Sequence, residues 1–242
     1  SPTFTGLNPD TEYSFKIKFS GDTNYNASPE SDTVTIRTAE AEQYEMAVSN
    51  MELAPVVYGE SPVATAISLK NTGASQLTGV TITAVSGETD SFVITEGNTT
   101  IRVSSTDESW KIAPKESLGA GNHEVTLRAD SAETEPQEFT VTLTVEKAEQ
   151  TAPDAPSAET VSARSITLEA QTSSQSGVNA QYRMRKAGME KWGDWQSEVE
   201  FADLTPNVKY EFEAYYPETE NYKVSEGSDI ADRAGTPAPR LA

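Results

Sequence analysis

Phe201-Ala-Asp-Leu-Thr-Pro-Asn-Val-Lys-Tyr210 leads directly into Glu211-Phe-Glu-Ala-Tyr-Tyr216, and these two phrases decide the fold. The first is the approach to a turn and the turn itself, with Pro206 fixing the backbone. The second alternates, placing Tyr210, Phe212 and Ala214 on one face with charged residues between them, which is the period of a half-buried strand. The same ten-residue phrase occurs as Phe4-Thr-Gly-Leu-Asn-Pro-Asp-Thr-Glu-Tyr13, 197 positions earlier. One repeat found at both ends marks a segment of a modular array.

Working outward, residues 1–38 hold the first copy of the phrase and two alternating strands, expected at 13–19 and 33–37. Tyr13, Phe15, Ile17 and Phe19 share one face of the first strand, and Val34 and Ile36 share one face of the second. Two antiparallel strands cannot bury such a face alone. The expectation is therefore a hairpin over residues 4–37 that is completed by further chain or by another copy. Ser1-Pro-Thr-Phe4 opens in the middle of a repeat, so position 1 reads as a boundary of the piece rather than a natural start. Ala39-Glu-Ala-Glu42 reads as a polar linker.

Residues 43–147 form a second unit, with strands expected at 45–49, 64–71, 79–86, 92–95, 110–113, 123–129 and 138–145. Turn signals separate them at Tyr58-Gly-Glu-Ser-Pro62, Asn71-Thr-Gly73, Gly97-Asn98 and Gly119-Ala-Gly-Asn122. Short strands at regular spacing without helical periodicity predict a two-sheet sandwich. In Lys70-Asn-Thr-Gly73 the glycine is expected to supply a positive φ. Glu149-Gln-Thr-Ala-Pro-Asp-Ala-Pro156 reads as a semi-rigid, Pro-containing linker. Residues 157–236 form a third unit, with strands expected at 159–162, 165–170, 180–186, 198–201, 210–216 and 228–233. Gly235-Thr-Pro-Ala-Pro239 reads as the next linker. The fold class is all-β: tandem β-sandwich modules joined by short linkers.

The third unit resembles a bacterial fibronectin type III module. The resemblance is carried by Leu204-Thr-Pro-Asn-Val-Lys-Tyr210, the aromatic strand after it and Trp195 before it. It implies a tyrosine corner, with the Tyr210 ring in the core and its hydroxyl bonded to backbone just upstream. Residues 1–38 are similar to the second half of that module, with Asn24-Tyr25 matching Asn221-Tyr222, Ser28 matching Ser225 and Ser31-Asp32 matching Ser228-Asp229. The middle unit resembles an immunoglobulin-like repeat of bacterial surface proteins, on Ala66-Ile-Ser-Leu-Lys-Asn-Thr-Gly73, Leu77-Thr-Gly-Val-Thr-Ile82, Ser91-Phe-Val-Ile94 and Leu118-Gly-Ala-Gly-Asn-His-Glu-Val125. Neither resemblance implies an activity.

Composition sets the functional frame. With 38 acidic against 18 basic residues the formal charge is −20, a field that repels phosphate backbones and argues against nucleic acid. No apolar run approaches the ~20 residues of a membrane span. Cysteine is absent, which removes disulfides, thiol catalysis and thiolate metal sites.

Catalysis has little to draw on. His123 is the one histidine, read as a turn residue with Glu124 beside it and no nucleophile in view. Glu211 and Glu213 are expected to point to solvent. No catalytic residue, cofactor or metal ligand is assigned. Acidic residues near the linkers (Glu40, Glu42 and Glu45 at the first, Glu146, Glu149 and Asp154 at the second) leave calcium at module junctions as a secondary expectation. Lys70 and Asn71 supply atoms for an isopeptide crosslink but no motif for one. Trp195 is expected to pack inside, while Trp192, Tyr215, Tyr216 and Tyr222 are the candidate aromatic surface for a glycan or protein partner.

The expected role is a non-catalytic spacer in a secreted or cell-surface bacterial protein. Its partners would be the other modules of the parent and a host or cell-wall protein or glycan. The alternatives are an adhesin or carbohydrate-binding module, and accessory modules of a polysaccharide-degrading enzyme.

Overall fold

Alternation governs what forms. The computed structural model describes residues 2–233, and among these it contains strands and no helix. The expected linker at 235–239 and the last residues assigned to the third unit lie outside the described residues.

The N-terminal pair is β1 (Glu12–Phe15) and β2 (Val34–Arg37), antiparallel, with Tyr13 opposite Ile36 and Phe15 opposite Val34. β1 ends before the expected position 19 for a local reason. The N–H groups of Ile17 and Phe19 donate to the hydroxyls of Ser31 (3.1 Å) and Ser28 (2.9 Å), so serine side chains replace part of the ladder. This hairpin contributes to neither hydrophobic core. Ile17 and Phe19 are 70% and 79% exposed.

The middle unit comprises β3 (Met46–Ala47), β4 (Met51–Glu52), β5 (Val56–Val57), β6 (Thr65–Ala66), β7 (Leu69–Asn71), β8 (Thr81–Gly87), β9 (Phe92–Thr95), β10 (Thr106–Asp107), β11 (Lys111–Pro114), β12 (Gly121–Asp130) and β13 (Gln137–Glu146). One sheet runs β4-β13-β12-β8, with β5 also on β13; the facing side holds β10-β7-β3 and β6-β11-β9. Between them lies one core that includes Ile67, Leu69, Trp110, Ile112, Leu127 and Val141. The Trp110 indole N–H donates to the Asn98 carbonyl at 2.9 Å, which satisfies its polar end.

Three expectations for this unit are corrected. The single strand at 64–71 is two pieces in different sheets, joined through fully buried Ile67, whose N–H donates to Trp110 (2.8 Å). β4, β5 and β10 were not legible, each being two residues long and so below the reach of any alternation. β4 and β5 pair parallel with β13 on either side of Pro55, which has no N–H to give a ladder. Gly73 does not take a positive φ. It is required by close approach instead, since a Cβ there would sit 2.4 Å from the Gln43 carbonyl oxygen. The turn itself is held by buried Asn71, whose amide donates to the carbonyls of Ser75 and Ile101 while its oxygen accepts from the Gly73 N–H.

The third unit comprises β14 (Ala158–Val161), β15 (Ile166–Leu168), β16 (Gln181–Lys186), β17 (Glu200–Phe201), β18 (Tyr210–Tyr215) and β19 (Ala231–Arg233). They form two three-stranded sheets, β14-β15-β17 and β16-β18-β19, over a core of Ile166, Leu168, Tyr182, Leu204, Tyr210 and Phe212 among others. The opening phrase acts as its chemistry requires. Leu204 plugs the core at 2% exposure, and the buried Tyr210 hydroxyl accepts the Thr205 N–H at 2.9 Å, making the tyrosine corner. The chain is thus all-β, built of tandem β-sandwich modules.

Candidate functional site

Two surfaces gather the residues that sequence singled out: the junction between the middle and third units, and the outer face of the β16-β18-β19 sheet. The junction begins where β13 ends. Ala148 forms a parallel bridge with Tyr222: its N–H donates to the Asn221 carbonyl (3.0 Å) and its carbonyl accepts from Lys223 (2.8 Å). Gln150, 7% exposed, donates through Nε2 to the carbonyls of Pro217 (3.0 Å) and Lys223 (2.7 Å) and accepts from the Ser176 hydroxyl. The Thr151 N–H donates to Gln175 Oε1 at 2.7 Å. The linker is therefore sewn into the third module by hydrogen bonds.

Direct contacts between the modules close the other side. The Tyr58 and Tyr222 rings meet edge-on at 5.5 Å and 77°. Asn221 Oδ1 accepts the Ala120 N–H at 2.8 Å. Lys147 reaches Glu218 (2.6 Å) and the Thr219 carbonyl (2.7 Å), and Lys223 reaches Glu149 at 2.8 Å. The Glu149 carboxylate beside Lys223 holds that ammonium's pKa above its ordinary value.

His123 lies in β12 rather than in a turn, and it braces this loop. Its Nδ1 meets Glu88 Oε2 and its Nε2 meets the Gly119 carbonyl, both at 2.8 Å. Gly119 immediately precedes the Ala120 amide that Asn221 caps. The His123 contact, followed by the Ser91 hydroxyl, keeps the Glu88 carboxyl below the usual carboxylate range despite some burial. Ser91 bonds Glu88, not His123, so no nucleophile–base pair arises here.

On the outer face of the third unit, Arg183 and Arg185 on β16 pair with Glu213 and Glu211 on β18, each contact at 2.5 Å. These glutamates are thus ion-paired and less than 20% exposed rather than solvated. Trp192 stacks against both guanidiniums (4.8 and 4.3 Å), Arg183 also covers Trp195 (4.3 Å), and Trp195 meets Tyr215 edge-on at 4.5 Å.

Trp195 therefore lies outside the core, against expectation. Gln196 bridges directly opposite Tyr182, whose ring faces inward, so the residue before Gln196 faces outward.

The four candidate aromatics are not brought together. Trp192 and Tyr215 share the outer face. Tyr216 is in the core at 8% exposure, where burial, and next the Asp154 charge, push its hydroxyl pKa up. Tyr222 lies half-buried against Tyr58. Sequence reasoning missed Gln150, Tyr58, Arg183 and Arg185. The i, i+2 arginines facing an i, i+2 glutamate pair were the one available signal.

Among the described residues no three His, Asp or Glu side chains gather as a metal-binding group. Lys70 and Asn71 have separate surroundings, with Lys70 exposed and Asn71 engaged by backbone.

No protein-family model matches the sequence, and no curated protein matches it. Among solved structures the chain is similar to a segment of consecutive titin domains, at 14% identity and TM-score 0.32 over 92% of this chain and 74% of that one. It is also similar to the FN1-FN3 domains of chicken CNTN1, at 15% identity and TM-score 0.31 over 95% and 79%. The module folds rest on the strand orders and cores described above.

Proposed function

We propose that residues 43–233 serve as a stiff, non-catalytic spacer within a secreted or cell-surface bacterial multidomain protein, holding flanking modules at a fixed spacing. The observation that carries this reading is the Ala148–Tyr222 bridge with buried Gln150 beneath it. A flexible tether leaves its backbone to water, whereas this one spends its polar groups on the next module. The absence of cysteine permits clean labelling. Spin labels at Val93→Cys and Val161→Cys, one on each module, are expected to give one narrow distance distribution by pulsed electron resonance. Adding Asn221→Ala and Tyr222→Ala should broaden it. Equally broad distributions with and without those substitutions would refute the spacer role.

A second reading is favoured by one feature, the half-exposed Trp192 and Tyr215 flanking a guanidinium stack. It makes the segment an adhesin or glycan-binding part, or an accessory to a polysaccharide-degrading enzyme. Glycan-array binding that Trp192→Ala abolishes would support it, and an empty array for the intact chain would reject it. Calcium at the junctions is tested by melting with calcium against chelator, an unchanged melting temperature rejecting it.

A further inference from the structure

We infer that the junction between the middle and third units carries a proton-operated clamp: doubly protonated His123 holds the Gly119 loop against Asn221, and loss of one ring proton releases it. This rests on the spacer reading above and adds a regulation to it. A carbonyl oxygen has no hydrogen to give, and neither has an ionised carboxylate. His123 sits between one of each, with Nδ1 at 2.8 Å from Glu88 Oε2 and Nε2 at 2.8 Å from the Gly119 carbonyl oxygen. Glu88 is the ionised partner. Its Oε2 also accepts the Ser91 hydroxyl at 3.0 Å, and the His123 contact holds its carboxyl below the usual carboxylate range. Both ring nitrogens therefore donate at once, and only the imidazolium has two N–H groups.

A neutral ring keeps one N–H, so one of the two contacts becomes a meeting of lone pairs and must open. It is the Gly119 side that opens. A hydrogen bond to a charged acceptor is about twice as strong as one to a neutral acceptor, so the remaining proton stays on Nδ1 against Glu88. Gly119 leads directly into Ala120, whose N–H donates to Asn221 Oδ1 at 2.8 Å, and a Cβ on Gly119 would lie 3.4 Å from that same oxygen. A shift of Gly119 thus carries the Ala120 amide off Asn221. The Asn221 carbonyl in turn accepts the Ala148 N–H, and Tyr222 beside it meets Tyr58, so the released contact belongs to the set that seats the linker.

The surroundings leave the ring as the group that changes. His123 is the one histidine in the chain, and imidazole is the side chain that ordinarily changes charge near neutral pH. Its side chain is 14% exposed, so water has little access to replace a lost partner. The turn after β8 brings Glu88 and Asp90, and the β11–β12 loop brings Lys115 and Glu116. Glu124 follows it in β12 and alternates to the other face, while β13 sets uncharged Leu143 opposite. Across the junction Lys147 is paired with Glu218 and Lys223 with Glu149, and Glu220 precedes Asn221. The clamp is closed while Glu88 is ionised and the ring holds both protons. It opens as pH rises through the loss of the second ring proton, and again in acid once Glu88 is protonated.

The test uses the full chain with spin labels at the exposed positions Val93→Cys and Val161→Cys. Nitrogen NMR of the single imidazole follows its protonation between about pH 5 and about pH 9, and pulsed electron resonance follows the distance between modules over the same range. The distribution should be narrow while the ring holds both protons and should broaden as it loses one, with the same midpoint. Protection of the Ala120 amide against hydrogen exchange should fall about tenfold across that step. His123→Gln is neutral at every pH and should show one width throughout. A distribution that stays narrow while the ring titrates would overturn the clamp and leave the spacer standing. One that is broad at every pH would refute the spacer and the clamp with it. Unchanged ring protonation over the range, or a pH response that persists in His123→Gln, would also overturn the clamp.

Discussion

The N-terminal hairpin and residues 201–233 write nearly the same sentence twice, and among the described residues only the second copy is covered by a partner sheet. Turn, tyrosine corner and serine-to-amide bonds are present in both copies, since each needs only groups within about 30 residues. Burial is present in one. Local hydrogen bonding and core formation are thus separable layers, the first written in a short stretch and the second requiring a partner sheet.

The largest test of that contrast is truncation at equivalent core positions. Phe212→Ala should destabilise the third unit by about 3–5 kcal/mol, by loss of buried area and the cavity left behind. Phe15→Ala should leave the exchange rates of β12 and β18 amides unchanged. Hydrogen exchange read unit by unit under denaturant checks both. A similar loss of protection in the two variants would mean that the hairpin is part of a shared core.

The next test is polar. Ser228→Ala strands the buried Ala214 N–H and should cost about 1–3 kcal/mol, whereas Ser31→Ala leaves an amide that water can reach. Denaturant titrations of the two variants separate these outcomes. Tyr210→Phe against Tyr13→Phe repeats the comparison at the corner, with an expected difference of about 1 kcal/mol.

The third test concerns the loop that follows each strand. Asn221-Tyr222 is docked on the middle unit, while Tyr25 is 76% exposed. Tyr222→Ala should lower the temperature at which the two modules uncouple in calorimetry, and Tyr25→Ala should not shift it.

The smallest effect is on pH. The Glu88 carboxyl is held below its ordinary value chiefly by His123, so its contribution to stability is present above the usual carboxylate range and is lost as pH falls through the depressed folded value. In a carbon-detected NMR titration, His123→Ala should move the Glu88 midpoint upward. An unmoved midpoint would remove the His123 contact as the cause of the Glu88 shift.

Legibility followed range. The strands β12, β13, β16 and β18 were visible because each alternates for at least four residues, whereas β4, β5 and β10 take their identity from pairing with distant strands. Gly73 was singled out correctly but for the wrong reason, as the crowding carbonyl belongs to Gln43, 30 residues upstream. Trp195 was misplaced because the irregular stretch after Gly188 gives no phase until Gln196 bridges Tyr182.

The sequence by itself determined the β class and the tyrosine corner at Tyr210, both of which rest on alternation and turn chemistry acting over short separations. Tertiary structure alone decided that the linker is bonded into the third module, that Tyr222 is a docking residue, and that Trp192 and Trp195 stack on paired arginines. The docking of the Asn221 loop and the arginine–glutamate pairing depend on segments 101 and 30 residues apart meeting, and no local period encodes such a meeting.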